Sequence, residues 1–254
     1  MALRLAFEVS GSGPPVVILH SLLGSGRNWR PIAAELAQSH RVYCVDLRNH
    51  GHSPWAASME YAEMADDVRM LIETEKLEQP LLIGHGLGGK VAMALALKSP
   101  AAIGRLVIVD IAPVSYAERL LPYFEAVSGI DIRSADERRI ALQRITEKMP
   151  GSAAVGFLND LAAAPADLLD ERLNLQAIAT SVRTLCEFPP ELLLLSCPLP
   201  TLLIRGARSD RVQPAAAAAL TEQFPQLRVV TIDGAGHWVH ADRPAQFIAA
   251  LALE

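Results

Sequence analysis

The sequence predicts an α/β fold in which helices cover both faces of a mostly parallel sheet. Short runs of strand-favouring residues alternate with longer helical patterns, as crossover connections between parallel strands require. Several short runs are apolar without a break, which is typical of strands buried on both faces. A chain of 254 residues, 51% of them apolar, is long enough to bury such a core in one large domain.

The strands and helices follow one another in a regular order. The helix that begins after Gly86 is predicted to continue to Lys98, because Pro100 stops it, and another is predicted from Pro214 to Phe224. Further helices fill the remaining gaps, and the N-terminal stretch 3–9 alternates apolar and polar residues. The predicted strands are 16–19, 42–45, 81–83, 106–109, 202–205 and 229–232.

Residues 114–200 interrupt this alternation. Helical patterns are present at 135–149, 154–164 and 168–186, and no strand is indicated between them. We therefore predict a core formed by residues 1–113 and 201–254, with residues 114–200 inserted as a helical cap. Because the insertion lies between two strands, it is placed to cover a cavity, although most of its leucines are expected to pack within the insertion itself.

Composition excludes several classes of partner. The net charge is −5 and the isoelectric point is near 5.8, without any basic run, so we expect neither nucleic acid nor a membrane surface as partner. A small ester or another apolar ligand fits better. Cys44, Cys186 and Cys197 are odd in number and lack metal-type spacing, which favours a reducing compartment. With no leader pattern and no long apolar run, we expect a cytoplasmic protein. We expect it to be a monomer or a homodimer.

The most informative segment is the turn Gly84-His85-Gly86-Leu87-Gly88. It follows an apolar strand and precedes a helix, which is the context of the G-x-S-x-G nucleophile elbow. Gly86 stands where that pattern has its serine. The glycines resemble a phosphate-binding loop only superficially, and metal ligands are not clustered, so no nucleotide cofactor and no metal are predicted.

Six segments taken together resemble the α/β-hydrolase fold, and the resemblance covers nearly the whole chain. The segments at 48–51, 110–113 and 236–240 are similar to the YbfF-type esterase subgroup. The six are Leu19-His20-Ser21-Leu22-Leu23-Gly24, Asp46-Leu47-Arg48-Asn49-His50-Gly51-His52-Ser53, the glycine-rich turn, Val109-Asp110-Ile111-Ala112-Pro113, Arg205-Gly206 and Gly234-Ala235-Gly236-His237-Trp238.

The resemblance implies a triad of nucleophile, acid and histidine in that order along the chain. His237 matches the general base, which would take the nucleophile's proton and return it to the leaving group. Asp110 is the preferred acid, because it matches the subgroup's segment. Asp210 is the alternative acid, although the usual family spacing would place an acid at Ser209.

The resemblance also implies an oxyanion hole made of two backbone N–H groups, those of Leu22 and Leu87. Main-chain donors need no polar side chain, so the hole is compatible with the loss of the serine. His20 is predicted to shape its loop rather than to act as a base. The 46–53 segment is likewise predicted to fix a loop through hydrogen bonds.

Two positions depart from the family pattern: Gly86 replaces serine, and Ser21 replaces the glycine usual after the strand-ending histidine. We predict a carboxylic ester hydrolase scaffold for small to medium acyl esters. Its activity is then lost, residual, carried by the Ser21 hydroxyl, or carried by a water that His237 activates. The alternatives are a binding protein without turnover, and a cofactor-free lyase or oxygenase that uses the same base.

Overall fold

The computed structural model describes residues 1–117 and 173–252, together with the single positions 121 and 140. Its described part contains a seven-stranded sheet with the order β1-β3-β2-β4-β5-β6-β7. β1 pairs with β3 in antiparallel fashion, and every other pair is parallel. The predicted fold class is therefore confirmed. The strands are β1 (Phe7–Ser10), β2 (Pro15–Leu19), β3 (Arg41–Val45), β4 (Leu81–His85), β5 (Arg105–Val109), β6 (Thr201–Gly206) and β7 (Leu227–Ile232).

From β2 onwards, helices connect successive strands, as parallel pairing requires. Three short 3-10 turns lie at Gly26–Trp29, Pro100–Ala102 and Leu192–Leu194. The described α-helices are α1 (Arg30–Leu36), α2 (Tyr61–Thr74), α3 (Leu87–Lys98), α4 (Leu175–Cys186), α5 (Pro214–Gln223), α6 (Val239–Asp242) and α7 (Pro244–Ala252).

Both faces of the central strands are buried, which explains their unbroken apolar sequences. In β2, Val17 and Leu19 point into a core shared with α2 and α3, whereas Val16 and Ile18 point into a second core shared with α1 and α7. All four side chains are fully buried. The carboxyl ends of the parallel strands therefore meet at one edge of a rigid sheet, and the loops that follow them are brought together there.

Part of the predicted insertion is described. Of the three helical patterns, 154–164 lies outside the described residues, as does 135–149 apart from position 140, and 168–186 corresponds to α4 from Leu175 onwards. Asn174 caps α4, because its side chain accepts a hydrogen bond of 3.2 Å from the Ala177 N–H. Ile178 and Leu185 of this helix are buried in the core that contains α2 and α3.

Lys90 of α3 joins both ends of the predicted insertion to the sheet domain. Its Nζ donates hydrogen bonds to the carbonyl oxygens of Val114, Cys186 and Glu187, at 3.0, 2.9 and 2.7 Å. The side chain is buried, and two tyrosine rings face the ammonium group. Burial lowers the pKa of Lys90 to about 7.

The three cysteines are free and buried, in agreement with a structural role. None of the helices in the described parts of the chain is both long and apolar enough to cross a membrane.

Candidate active site

Gly86 forms a sharp turn between β4 and α3. Its backbone angles are φ 52° and ψ −115°, a conformation that side-chain-bearing residues rarely adopt. The Gly86 N–H donates to the Val109 carbonyl at 3.2 Å. Gly88 lets α3 approach β2, since a Cβ on residue 88 would lie 2.6 Å from the His20 carbonyl oxygen. The geometry of a nucleophile elbow is therefore present without a nucleophile at its apex.

The side chain of Ser21 fills the space that a side chain at the elbow would occupy. A Cβ built on Gly86 would overlap the Ser21 hydroxyl oxygen and lie 3.0 Å from the Ser21 Cβ. The same point lies 3.5 Å from Nε2 of His237. Ser21 is buried. The two departures from the family pattern are thus neighbours in space, and the Ser21 hydroxyl takes up the space at the apex of the elbow.

His237 follows β7 in a loop that is anchored on the carboxylate of Asp110. Its Nδ1–H donates to Asp110 Oδ2 at 2.8 Å, which leaves Nε2 free to accept a proton. Asp110 is fully buried at the end of β5 and has a φ of 49°. Its Oδ1 accepts from the Gly206 N–H at 3.2 Å. A buried carboxylate held in this way fixes the orientation of the imidazole and stabilises its cation.

The structure does not place Asp210, the alternative acid, at the imidazole. The Asp210 side chain is exposed, and its carboxylate lies 4.0 Å from Nε of Arg211. The reason is the course of the loop after β6, which turns Ser209 inwards instead. The Ser209 hydroxyl donates a short hydrogen bond to Asp110 Oδ2. The residue at the commoner acid position of the family therefore hydrogen bonds to Asp110, which follows the neighbouring strand.

Two backbone N–H groups are available beside the elbow. Within the described parts of the chain, neither the Leu22 nor the Leu87 amide has a hydrogen-bond acceptor. Their neighbours are engaged, because the Leu23 N–H donates to His50 Nε2 at 3.2 Å and the Gly88 N–H donates to the His20 carbonyl at 3.1 Å. Free donors on two converging loops are what an oxyanion hole requires.

Histidines that sequence reasoning assigned to loop structure do shape the loop that carries Ser21. The Leu47 N–H donates to His20 Nε2 at 3.0 Å, so the other ring nitrogen carries the proton and donates to the Ser21 carbonyl at 2.7 Å. Burial lowers the pKa of His20 to about 4, which keeps the ring neutral. His50 holds Leu23, two residues after Ser21, in its left-handed conformation with φ 64°.

The 46–53 segment is fixed by polar contacts rather than arranged for chemistry. Asp46 accepts from the N–H groups of Gly26 and His52, at 2.7 and 2.9 Å. Arg48 is buried and donates two hydrogen bonds to Asp67, at 2.7 and 2.9 Å. Among the described residues, no group of three or more histidine, cysteine or acidic side chains could hold a metal ion.

Three supporting residues escaped the sequence analysis. Ser209 donates to the acid, Asp242 Oδ2 accepts from the Gly236 N–H at 2.6 Å, and His85 contacts the backbone of His237. The sequence offered a signal only for Ser209, which stands at the usual acid position. The other two contacts join side chains to backbone groups and leave no motif.

Comparison with known proteins decides the family. The sequence model of the α/β-hydrolase fold family matches residues 14–244 of this chain. The chain belongs to the α/β-hydrolase fold family. Similar members are of esterase and lipase type. The sn-1-specific diacylglycerol lipase ABHD11 of Mus musculus is 33% identical over 246 residues, which cover 94% of this chain and 80% of the relative.

Two further members of the α/β-hydrolase fold family extend the comparison. Esterase YbfF of Escherichia coli (strain K12) is 31% identical over 242 residues, which cover 93% of this chain and 91% of the relative. Among solved structures, a marine microorganism esterase superimposes with a TM-score of 0.83 at 32% identity and covers 99% of both chains. The resemblance to esterases of this fold, inferred from the six sequence segments, is confirmed.

Proposed function

We propose that this protein is a carboxylic ester hydrolase for small to medium acyl esters in which the Ser21 hydroxyl is the nucleophile. One observation carries the proposal: the Ser21 hydroxyl occupies the place of a Cβ at residue 86, and that place lies 3.5 Å from Nε2 of His237. The exchange of Gly86 and Ser21 relative to the family pattern then moves the hydroxyl from one loop to the facing loop and keeps it within the same site.

The arrangement supports acylation of Ser21. His237 Nε2 accepts the hydroxyl proton as Oγ bonds to the ester carbonyl carbon, and the carbonyl π electrons move onto its oxygen. The N–H groups of Leu22 and Leu87 stabilise that oxyanion. Collapse of the intermediate breaks the bond to the alcohol oxygen, which takes the proton from the imidazolium. Asp110 holds the imidazolium in place throughout.

Deacylation uses the same groups. A water molecule gives its proton to His237 Nε2 as its oxygen bonds to the acyl carbon, and the oxyanion forms again at the two amides. When this second intermediate collapses, the bond to Ser21 Oγ breaks and the imidazolium returns the proton to that oxygen. The products are the carboxylic acid and the free enzyme. No cofactor or metal enters either half of the reaction.

The substrate class is supported by the relatives and by the charge of the chain. Two of the similar proteins, YbfF and the marine microorganism protein, are named as esterases. The relative from Mus musculus is named as a diacylglycerol lipase. The net charge of −5 disfavours anionic substrates. Neutral carboxylic esters of small to medium acyl length are therefore the proposed substrates.

Gly86 itself favours a second candidate, a binding protein without turnover. With glycine at the apex of the elbow, the position used by other members of the fold carries no reactive group. Such a protein would bind an ester or another apolar ligand against the two free amides and release it unchanged. The retained hydrogen bond between His237 and Asp110 has no purpose in a protein of that kind, which is why hydrolysis is preferred.

The test compares hydrolysis of p-nitrophenyl butyrate by the wild type, Ser21→Ala and Ser25→Ala. Ser25 is a buried serine of the same loop and supplies the matched control. We expect Ser21→Ala to lower kcat by roughly 10⁴- to 10⁶-fold, as loss of a triad serine does, and Ser25→Ala to stay within about threefold, because its hydroxyl is not the reacting group. Full activity of Ser21→Ala would refute the role of Ser21.

A second measurement separates hydrolysis from binding alone. A burst of p-nitrophenol equal to the enzyme concentration, followed by slower release, would show an acyl-enzyme. Saturable binding of the ester without any p-nitrophenol would instead establish the binding protein.

A further inference from the structure

His85, the residue that precedes Gly86, is a fully buried histidine outside the triad. Its ring lies in an aromatic cluster, with ring centroids 4.5 Å from His237, 5.0 Å from His240 and 5.2 Å from Trp238. Burial of an imidazole costs free energy, and a hydrogen bond from its N–H to an acceptor offsets part of that cost.

His85 makes one hydrogen bond among the described residues, and it is to the backbone of the proposed base. Nε2 of His85 lies 3.1 Å from the His237 carbonyl oxygen. A carbonyl can only accept, so Nε2 carries the proton, and the buried Nδ1 has no partner within the described ranges. Burial lowers the pKa of His85 well below its usual range, and the neighbouring His237 lowers it further. The ring is therefore a neutral donor.

This contact completes the anchoring of the base loop at three points. The Asp110 carboxylate holds the ring of His237, Asp242 holds the N–H of Gly236, and His85 holds the carbonyl of His237 itself. His85 is the residue before Gly86 in the chain. Its hydrogen bond therefore fixes the position of the His237 imidazole relative to the elbow turn and to the Ser21 hydroxyl beside that turn.

We propose that His85 is a positioning residue, which sets the distance between Nε2 of His237 and the Ser21 hydroxyl by hydrogen bonding the His237 carbonyl. The proposal rests on the proposed function in that it takes His237 as the base. A neutral donor suits the position, because a cation 4.5 Å from the imidazole ring would oppose its protonation during turnover. Lysine or arginine at residue 85 would carry that charge.

The test uses His85→Phe, with His240→Phe as the matched control. His240 lies in the same cluster, is also buried, and stacks on Trp29 at 3.9 Å, but neither of its ring nitrogens has a hydrogen-bond partner in the part of the chain that the structure describes. We expect His85→Phe to lower kcat for p-nitrophenyl butyrate by about 10²-fold, as small misplacements of catalytic groups do, with KM little changed. His240→Phe should stay within about threefold, because it removes no such bond.

Rescue separates positioning from packing. His85→Gln keeps an N–H donor at a similar distance from the backbone, so it should recover at least about tenfold of the kcat lost in His85→Phe. If His85→Phe does not fold, His85→Met takes its place in the comparison with His85→Gln. Equal losses in His85→Phe and His240→Phe, or equal kcat in the variants with and without the donor, would overturn the positioning role.

A turnover-independent readout keeps this test separate from that of the proposed function. The Nδ1 proton in the hydrogen bond from His237 to Asp110 is expected as a low-field proton resonance in the free protein. His85→Phe should move or broaden that resonance and speed its exchange with solvent, whereas His240→Phe should leave it in place. An inert wild type would defeat the proposed function alone, while an unchanged resonance in His85→Phe would defeat the role of His85.

Discussion

Gly86 and Ser21 compete for one position, and substitutions at the two sites should therefore interact. The decisive experiment changes Gly86→Ser and Ser21→Gly, singly and together. In the wild-type background, Ser21→Gly removes the proposed nucleophile. In the Gly86→Ser background, the same change removes an obstacle to the new serine. We therefore expect Ser21→Gly to lower activity in the first background and to raise it in the second.

The magnitude follows from the geometry at Gly86. A residue with a side chain at φ 52° and ψ −115° costs about 1–3 kcal/mol of folding free energy. The new Cβ would also overlap the Ser21 hydroxyl, and turning that side chain away adds about 0.5–1.5 kcal/mol. Gly86→Ser should thus lower the free energy of unfolding by about 1.5–4.5 kcal/mol. The double variant is relieved of the second contribution, which appears as a coupling free energy between the sites.

Two assays on the four proteins measure these effects. Urea unfolding gives the coupling free energy, and hydrolysis of p-nitrophenyl butyrate gives the change in kcat/KM. Ser21→Gly should cost roughly 10⁴-fold or more in the wild-type background, and gain at least about tenfold in the Gly86→Ser background. Additive changes in unfolding free energy would refute the shared position. A large gain in Gly86→Ser over an inert wild type would show a disarmed esterase instead.

Three further predictions concern the acid and two buried bases. Asp110→Asn should lower kcat by about 10⁴-fold because it misorients the imidazole, while Asp210→Asn should stay within about threefold; equal losses in steady-state hydrolysis would contradict this assignment. Burial lowers the pKa of Lys90 in the folded protein to about 7. Between pH 7 and 10 the Lys90 side chain therefore binds a proton in the unfolded chain but not in the folded protein. Urea unfolding should show the wild type gaining about 3 kcal/mol over Lys90→Met in that range, and parallel pH curves would speak against it. Burial lowers the pKa of His240 to about 3, so from pH 7 to 4 the wild type should lose about 3 kcal/mol more unfolding free energy than His240→Phe; equal losses would count against a neutral, buried His240.

Much of the sheet was predictable because its signals are local. The central strands are apolar on both faces, and each of the six predicted strands lies within an observed one. α3 and α5 also match, because Gly86 and Pro214 mark where they begin. β1 was not predicted as a strand: it is short and largely exposed, and its pairing with β3 rather than its composition defines it. The boundary of the insertion stays a prediction.

The site was predictable only as far as motifs reach. Gly86, His237 and Asp110 stand in short segments that resemble the family, and the structure brings these segments to one edge of the sheet. The distance from Ser21 to the elbow could not be derived, because it depends on how two loops pack across β2 and β4. Nor could the bond from His85 to the His237 carbonyl, which joins residues 152 positions apart and involves only a backbone acceptor.

The most direct measurement of the proposed chemistry is the site of covalent modification by a fluorophosphonate, an analogue of the tetrahedral intermediate that reacts with activated serines. The wild type is incubated with the reagent and digested, and the modified peptide is sequenced by mass spectrometry; His237→Ala serves as the control for activation. We predict an adduct on Ser21 in the wild type, formed far more slowly in His237→Ala. An adduct on another residue, or none in a preparation that hydrolyses esters, would contradict Ser21 as the nucleophile.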